Sequence, residues 1–338
     1  MEEKLAIYLA GVLPGARDVT VSNFRKLTEG FSYETAIFTA RWNHNGVSEQ
    51  RDLVLRIEPR DPIAVGPCPL SAQFKILSAL QSTDVPVPPA LAFEASPSVL
   101  CRPFMLVGRV LGDVPISWGA GVEDQQQRHR IADRFMEVYA RVHRLDWQRA
   151  GLGFMLGDAD PNTLDPAQRE IERWERVVNE LTIRSEPILR EALLWCKKNK
   201  PKPHKLALCH GDYRLSNFIW ADNQIKALLD WEIATINDPY CDLAWTALRC
   251  WRGADPNLIT GLLPRDEYYA LYEKYSGTRV NSKRVFFWEV LGNIHMACIL
   301  IQGMHGLERG NVRDLRLMAL EQNMFRPILM EIAEMLRF

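Results

Sequence analysis

The stretch Leu206-Ala207-Leu208-Cys209-His210-Gly211-Asp212-Tyr213-Arg214-Leu215-Ser216-Asn217-Phe218-Ile219-Trp220 sets a short polar loop between two apolar runs. A further apolar run, Ile225 to Leu229, ends on Asp230, eighteen residues after Asp212, and Asn217 follows Asp212 by five. Apolar runs this short, bounded by polar residues, read as strands. Two short strands joined by a loop would bring Asp212, Asn217 and Asp230 to one rim. There a carboxylate can steer a hydroxyl, while an amide oxygen and a second carboxylate are hard ligands able to hold Mg²⁺ on a nucleoside triphosphate. The set implies phosphoryl transfer. The bland alternative, a hydrogen-bonded turn beside a stray acidic strand end, leaves the spacing and the following Asp238-Pro239-Tyr240-Cys241-Asp242-Leu243-Ala244 run unexplained.

Composition sets outer bounds. The chain has 338 residues, 47% hydrophobic and 25% charged, with a formal net charge of −1. That length supports one large unit or two lobes around a sizeable core. Near-zero charge gives no reason to expect nucleic acid or an acidic membrane as partner. Met1-Glu2-Glu3-Lys4 lacks the basic-then-apolar layout of a signal peptide. The most apolar late run, Ile294 to Met304, is interrupted by His295 and Gln302 and falls short of the roughly 20 residues that span a bilayer. Seven cysteines without a C-x-x-C pair show neither metal-ligand spacing nor a disulfide framework. A cytoplasmic protein acting on a small molecule is the expectation.

Outward from the loop, the first hundred residues read as short strands: Val19 to Leu27, Glu34 to Trp42, Asp52 to Ile57, Ala90 to Glu94 and Phe104 to Val110. His44-Asn45-Gly46 carries the Asn-Gly step of a hairpin. Leu70, Phe74, Leu77 and Leu80 have helical spacing, and Pro86, Pro88 and Pro89 follow that helix. From Gly112 onward the pattern is helical, with Ile131, Phe135, Val138, Val142 and Leu145 on one face. Asp165-Pro166-Ala167-Gln168 predicts a helix start with Asp as N-cap, Pro first and Gln bonding back. Ile171, Trp174, Val178 and Leu181 mark the stripe of that helix, and further helices are expected near 240–252, 265–276, 283–305 and 312–336. The whole reads as a bilobal α+β enzyme, residues 1–108 forming a small sheet-based N-lobe and 109–338 a mostly helical C-lobe.

The H-G-D loop, followed by four residues and then Asn217, and the strand ending in Leu229-Asp230 resemble the aminoglycoside phosphotransferase/choline kinase-like family, which shares the protein-kinase architecture. The resemblance covers roughly residues 20 to 310, through Thr28-Glu29-Gly30-Phe31-Ser32-Tyr33-Glu34-Thr35, Leu53-Val54-Leu55-Arg56, Ala72 to Leu80 and Val85-Pro86-Val87-Pro88. Asp230-Trp231-Glu232, Asp238-Pro239 and the segment from Gly151 to Trp174 are closest to the subgroup also found fused to acyl-CoA dehydrogenases.

The resemblance implies ATP and Mg²⁺ as cofactors and assigns roles. Asp212 is the base or orienting group for the acceptor hydroxyl, with Arg214 either on the transferring phosphate or paired with an acid. Asn217 and Asp230 are the metal ligands. Gly30 and Ser32 lie where a turn would fold over the phosphates, and Arg56 stands where kinases usually present Lys to them, a sound exchange for a bidentate guanidinium. Kinases pair that cation with Glu; the matching residue here is Gln73, which hydrogen-bonds without neutralising. Leu106, Val107 and Gly108 form an interlobe hinge whose backbone meets the adenine. His210 is expected to make a structural hydrogen bond, Asp242 to cap a helix and brace the loop, and His143, His295 and His305 to be packing or surface residues.

Several classes are excluded. Only eleven residues separate Asp230 from Asp242, too few for a protein-kinase activation segment, and no G-x-x-x-x-G-K-[ST] exists for a P-loop kinase. From Leu243 to Phe338 there are 12 Lys and Arg against 10 Asp and Glu, with many aromatic residues. That composition favours a partly apolar or anionic acceptor, and the narrower resemblance points to a hydroxyacyl-CoA. The alternatives are an aminoglycoside or other amino-alcohol kinase, and a nucleotide-binding scaffold of weak activity.

Overall fold

The alternation of Ala36, Phe38, Ala40 and Trp42, and of Leu53, Leu55 and Ile57, puts one face of two neighbouring strands into a core while Val54 and Arg56 face the other way. In the computed structural model, which describes residues 1–27, 33–59, 68–114, 122, 124–253, 255–310 and 316–337, these strands belong to a five-stranded antiparallel sheet. After an N-terminal helix α1 (Glu2–Val12) come β1 (Arg17–Leu27), β2 (Glu34–His44), β3 (Val47–Ile57), α2 (Leu70–Leu80), β4 (Ala90–Glu94) and β5 (Phe104–Gly108), in sheet order β1-β2-β3-β5-β4. The β2–β3 hairpin turns at Asn45 and Gly46, both at positive φ (50° and 81°), as a two-residue turn of this hand requires.

Helix α1 departs from the all-strand reading of this region. Leu5 and Leu9, one turn apart, are fully buried with Phe38, Leu53, Leu55 and Phe104, closing one face of the sheet. The opposite face, carrying Arg56, is left to α2 and the catalytic region.

The helical part comprises α3 (Gln125–Arg144), α4 (Pro166–Leu181) and α5 (Pro187–Asn199), then the site segment, then α6 (Pro239–Ala247), α7 (Arg265–Ser276) and α8 (Ser282–Glu308). A π-helical turn, Glu321–Phe325, joins α9 (Arg316–Leu320) to α10 (Arg326–Leu336). Asp165 accepts from the Gln168 amide at 3.0 Å, so the predicted cap stands. The reciprocal bond does not form; the Gln168 side chain instead reaches Glu172 and Lys200. The apolar run Ile294 to Met304 is part of the 27-residue α8, long and apolar enough by composition to cross a membrane, but 72% of its most apolar window is buried among the other helices.

The site segment differs from a simple pair of strands. β6 (Ala207–Cys209) pairs with β9 (Thr235–Asn237), whereas β7 (Phe218–Ala221) pairs with β8 (Gln224–Leu228). Asn217 and Asp230 therefore flank one hairpin, and Asp212 arrives from a separate ladder. Backbone bonds tie that hairpin to the sheet-bearing part: Leu228 N–H to Pro86 O at 2.8 Å, and a mutual pair between Asp113 and Trp220 at 2.7–2.8 Å. Gly112 makes the latter approach possible, since a Cβ there would lie 2.7 Å from the Trp220 carbonyl.

Candidate active site

The loop is built from the backbone outward. Gly211 has φ 85°, and a Cβ on it would stand 2.3 Å from the Ile233 carbonyl oxygen, so only glycine lets the chain pass there. Asp242, 1% exposed on α6, accepts from the amides of both His210 and Gly211 at 2.7 Å. His143 of α3 steadies it, Nε2 lying 3.2 Å from Asp242 and Nδ1 2.8 Å from the Tyr272 hydroxyl. His143, Cys209 and Asp242 thus gather within 4.8 Å, but the carboxylate and both imidazole nitrogens are already spent as a brace. Asp242 braces the loop as expected; the capping role belongs to Asp238, whose side chain accepts from the Tyr240 amide.

His210 lies wholly inside. Its Nε2 donates to Leu229 O at 2.7 Å and its Nδ1 accepts from the Asp212 amide at 3.2 Å. Burial lowers its pKa, with the surrounding carboxylates opposing, and a neutral imidazole is what these two bonds require. It fastens the Asp212 backbone to the strand end that carries Asp230.

Asp212 is 14% exposed and accepts three side-chain donors: Arg214 Nε at 2.7 Å and Asn217 Nδ2 at 2.9 Å on one oxygen, Trp245 Nε1 at 3.2 Å on the other. Burial pulls the Arg214 guanidinium down in pKa, and the Asp212 charge and hydrogen bond more than reverse it. Arg214 is therefore paired with the acid, its guanidinium 5.2 Å from the Trp251 ring centre. Asn217 gives its amide nitrogen to the Asp212 carbonyl and carboxylate, which leaves its oxygen turned from that pair. Asp230 sits at φ 63°, a left-handed conformation that Asp tolerates better than most residues.

Across from the loop, Arg56 on β3 donates to Asp230 Oδ1 at 3.0 Å and to Gln73 Oε1 at 3.2 Å, with its guanidinium 4.6 Å from the Tyr33 ring centre. Gln73, 1% exposed, donates in turn to the Tyr33 hydroxyl at 2.8 Å and the Cys68 carbonyl at 3.0 Å. Burial, partly offset by Arg56, raises the Tyr33 phenol to about 12, so it stays protonated.

A cavity of ≈ 340 Å³ is lined by Arg56, Gln73, Val107, Gly108, Asn217 and Asp230, with Val54, Met105, Ile219 and Trp231 among its apolar walls. Asp212 and Arg214 stand beside it through Asn217. The hinge residues Val107 and Gly108 line it too, and the Gly108 amide donates to Pro89 O at 2.7 Å. Gly30 and Ser32 lie outside the described residues. Sequence reasoning missed Tyr33 and Trp245. The spacing of Trp245, three residues after Asp242 on one helix face, was the available signal; Tyr33 offered none before the sheet and α2 were packed.

Comparison with known proteins bears on this geometry. Residues 41–277 match the phosphotransferase enzyme family. The chain is 26% identical over 234 residues to mouse acyl-CoA dehydrogenase family member 10, covering 66% of this chain and 21% of that protein. It is 25% identical over 264 residues to rat acyl-CoA dehydrogenase family member 11, covering 75% and 33%. The chain thus spans a fifth to a third of these curated relatives. Among solved structures, one from Ralstonia eutropha, provisionally described as an aminoglycoside phosphotransferase, superposes with TM-score 0.77 at 24% identity over 98% of this chain and 97% of the other. The GDP complex of aminoglycoside 2′-phosphotransferase-IIIa gives 0.64 at 16% identity over 98% of each. These likenesses establish a kinase-like α+β fold.

Proposed function

Because the chain belongs to the phosphotransferase enzyme family, we propose that it is an ATP- and Mg²⁺-dependent kinase that moves the γ-phosphoryl group to a hydroxyl of a small molecule. The observation that carries the reading is the placement of Asn217. Its amide nitrogen holds Asp212, while the same residue lines one cavity with Asp230 and Arg56.

Asp212 orients the acceptor hydroxyl and takes its proton as the new O–P bond forms and the bond to the bridging oxygen breaks, releasing ADP. Arg214 and Trp245 fix the carboxylate for that role, and general-base assistance of this type contributes about 10²–10⁴-fold. Arg56 offers the phosphates a bidentate donor, positioned by Gln73 and the Tyr33 ring. Asn217 Oδ1 and Asp230 are one neutral and one anionic hard oxygen, which fits Mg²⁺. When bound, that ion would neutralise charge on the β- and γ-phosphate oxygens.

For the acceptor, the slightly basic and aromatic C-terminal region supports a partly apolar or anionic molecule, and similarity to the acyl-CoA dehydrogenase family members supports a hydroxyacyl-CoA. The test is γ-phosphate transfer from Mg-ATP, with Mg-GTP in parallel, to hydroxyacyl-CoAs, aminoglycosides, choline and amino-sugar alcohols, read by mass spectrometry. A product that gains phosphate with wild type and not with Asp212→Ala is expected. Efficient transfer to another acceptor with none to any hydroxyacyl-CoA would remove the finer assignment. Nucleotide binding with neither hydrolysis nor transfer would remove the kinase itself.

A further inference from the structure

A second, smaller space adjoins Asp212. It measures ≈ 50 Å³ and is lined by Gly211, immediately before Asp212, and by Trp245, whose indole N–H reaches the Asp212 carboxylate. Its other walls come from α4 and α8: Trp174, Arg173, Trp288 and His295, with Thr235 from β9. The His295 ring stacks on Trp174, centroids 4.0 Å apart and planes at 21°, and leans on Trp245 at 4.8 Å.

The polar inventory of this space is lopsided. Trp288 is 2% exposed and its indole N–H has no partner among the described residues. Burial, with Arg173 alongside, holds the His295 pKa near 3, so its imidazole is neutral and presents one donor and one acceptor. Arg173 brings a positive charge. The acids here are already engaged. Glu170 accepts from Asn237 at 3.2 Å and pairs with Arg169 and Arg173 at 3.6 and 4.0 Å. Asp242 is taken by two backbone amides and His143. An ammonium group placed here would meet the Arg173 guanidinium, and the two carboxylates of the lining, Glu170 and Asp242, are already met by other cations and donors. An oxygen acceptor would satisfy the Trp288 N–H, which otherwise stays buried and unpaired, a state that costs free energy. The volume is several times the roughly 10–15 Å³ that one water needs, enough for a small polar group such as a carbonyl or carboxylate.

We propose that this aromatic cavity receives the carbonyl or carboxylate oxygen of the hydroxylated acceptor, with Trp288 and His295 as specificity-determining residues, so that the acceptor is anchored beside Asp212 by its carboxyl end. Its role as an acceptor subsite rests on the phosphotransferase reading above; its preference for oxygen acceptors over amines rests on the cavity alone.

The test titrates the full chain, with Mg-ADP present, against three probes of matched length by ligand-observed NMR: β-hydroxybutyrate, its methyl ester, and the corresponding amino alcohol. The acid or the ester should bind saturably, the stronger of the two identifying the oxygen, and the amine should bind at least tenfold more weakly. Trp288→Phe keeps an aromatic wall but removes the N–H along with part of the indole; it should weaken the preferred probe about tenfold, the size of one buried hydrogen bond. His295→Leu, about two turns along α8, is the second variant and should act in the same direction. ADP affinity should stay within twofold in both. Binding of neither acid nor ester, an amine that binds as well, or wild-type affinity in both variants would each overturn the proposal. Saturable binding lost in the variants, with no phosphate transfer from Mg-ATP to any acceptor, would sink the kinase reading and leave the subsite standing. Transfer to an acceptor that neither variant affects would sink the subsite and leave the kinase.

Discussion

Asp212 and Arg56 lie at the same cleft and are held in opposite ways. The loop under Asp212 is fastened from behind by buried groups: Asp242 on two amides, His143 on Asp242, and His210 between Asp212 and Leu229. Arg56 is held by a neutral amide oxygen, a ring face and a carboxylate, Asp230, that itself lines the cavity. The loop is held in its arrangement, because moving it would strand the buried polar groups that fasten it. On the proposed function the cradle has two within reach, because phosphate oxygens would replace Asp230 as the partner of Arg56 and leave that carboxylate to a metal. A neutral Gln73 suits such an exchange, since it orients the guanidinium without competing for its charge.

The largest effect should come from attacking the brace. Asp242→Ala leaves two buried amides and His143 without their acceptor, and loss of one member of such a buried network costs about 3–5 kcal/mol. Denaturant unfolding should show that loss together with abolished phosphate transfer. Arg56→Lys, by contrast, keeps the charge and loses the fork. Nucleotide affinity should weaken about tenfold, while unfolding free energy stays within about 0.5 kcal/mol of wild type. Equal destabilisation by the two substitutions would break the comparison.

A smaller difference should appear in acid. Burial depresses the pKa of His295, to about 3, and also that of His210. Above pH 6.5 neither state of the protein binds these protons, so there is no contribution. Below it the unfolded chain takes them up and the folded chain refuses, so stability falls as pH drops toward the folded pKa. The slope is at most about 1.4 kcal/mol per pH unit for each group. His295→Leu should remove one group's share of that slope between pH 6 and 4. Among the described residues no histidine lines the cradle cavity, and Arg56→Lys should leave the slope unchanged.

The two regions also differ in how far the sequence foretold them. Asp212, Asn217 and Asp230 fall within nineteen consecutive positions, so spacing along the chain carried most of their geometry. The pairing of β6 with β9 was not legible, because a three-residue strand has no periodicity to announce its partner. Helix α2 was readable from Leu70, Phe74, Leu77 and Leu80, and with it the approach of Gln73 to Arg56. The cap on α4 was half legible: Asp165 found its local amide, but Gln168 was drawn away by Lys200, 32 residues on. Helix α1 is fixed by burial of Leu5 and Leu9 against the sheet, a tertiary fact. Trp245 and Tyr33 are of that kind too, side chains whose roles depend on what packs beside them.

Tyr33 sharpens the comparison most finely, since it touches the cradle in two separable ways. Its ring lies under the Arg56 guanidinium, and its hydroxyl accepts from Gln73, whose amide oxygen holds the same guanidinium. Tyr33→Phe removes only the second contact. Gln73 keeps its bond to the Cys68 carbonyl, so nucleotide affinity should fall no more than about threefold, at the low end of a single neutral hydrogen bond. Tyr33→Leu removes the ring as well, and a cation–π contact of about 0.5–1 kcal/mol predicts a further two- to fivefold loss. Both should appear in the affinity or KM for nucleotide and leave the acid limb of stability untouched. If Tyr33→Phe instead lowered kcat as severely as a change in the loop, Arg56 would be as rigidly specified as Asp212, and the distinction between a braced loop and an exchangeable cradle would fail.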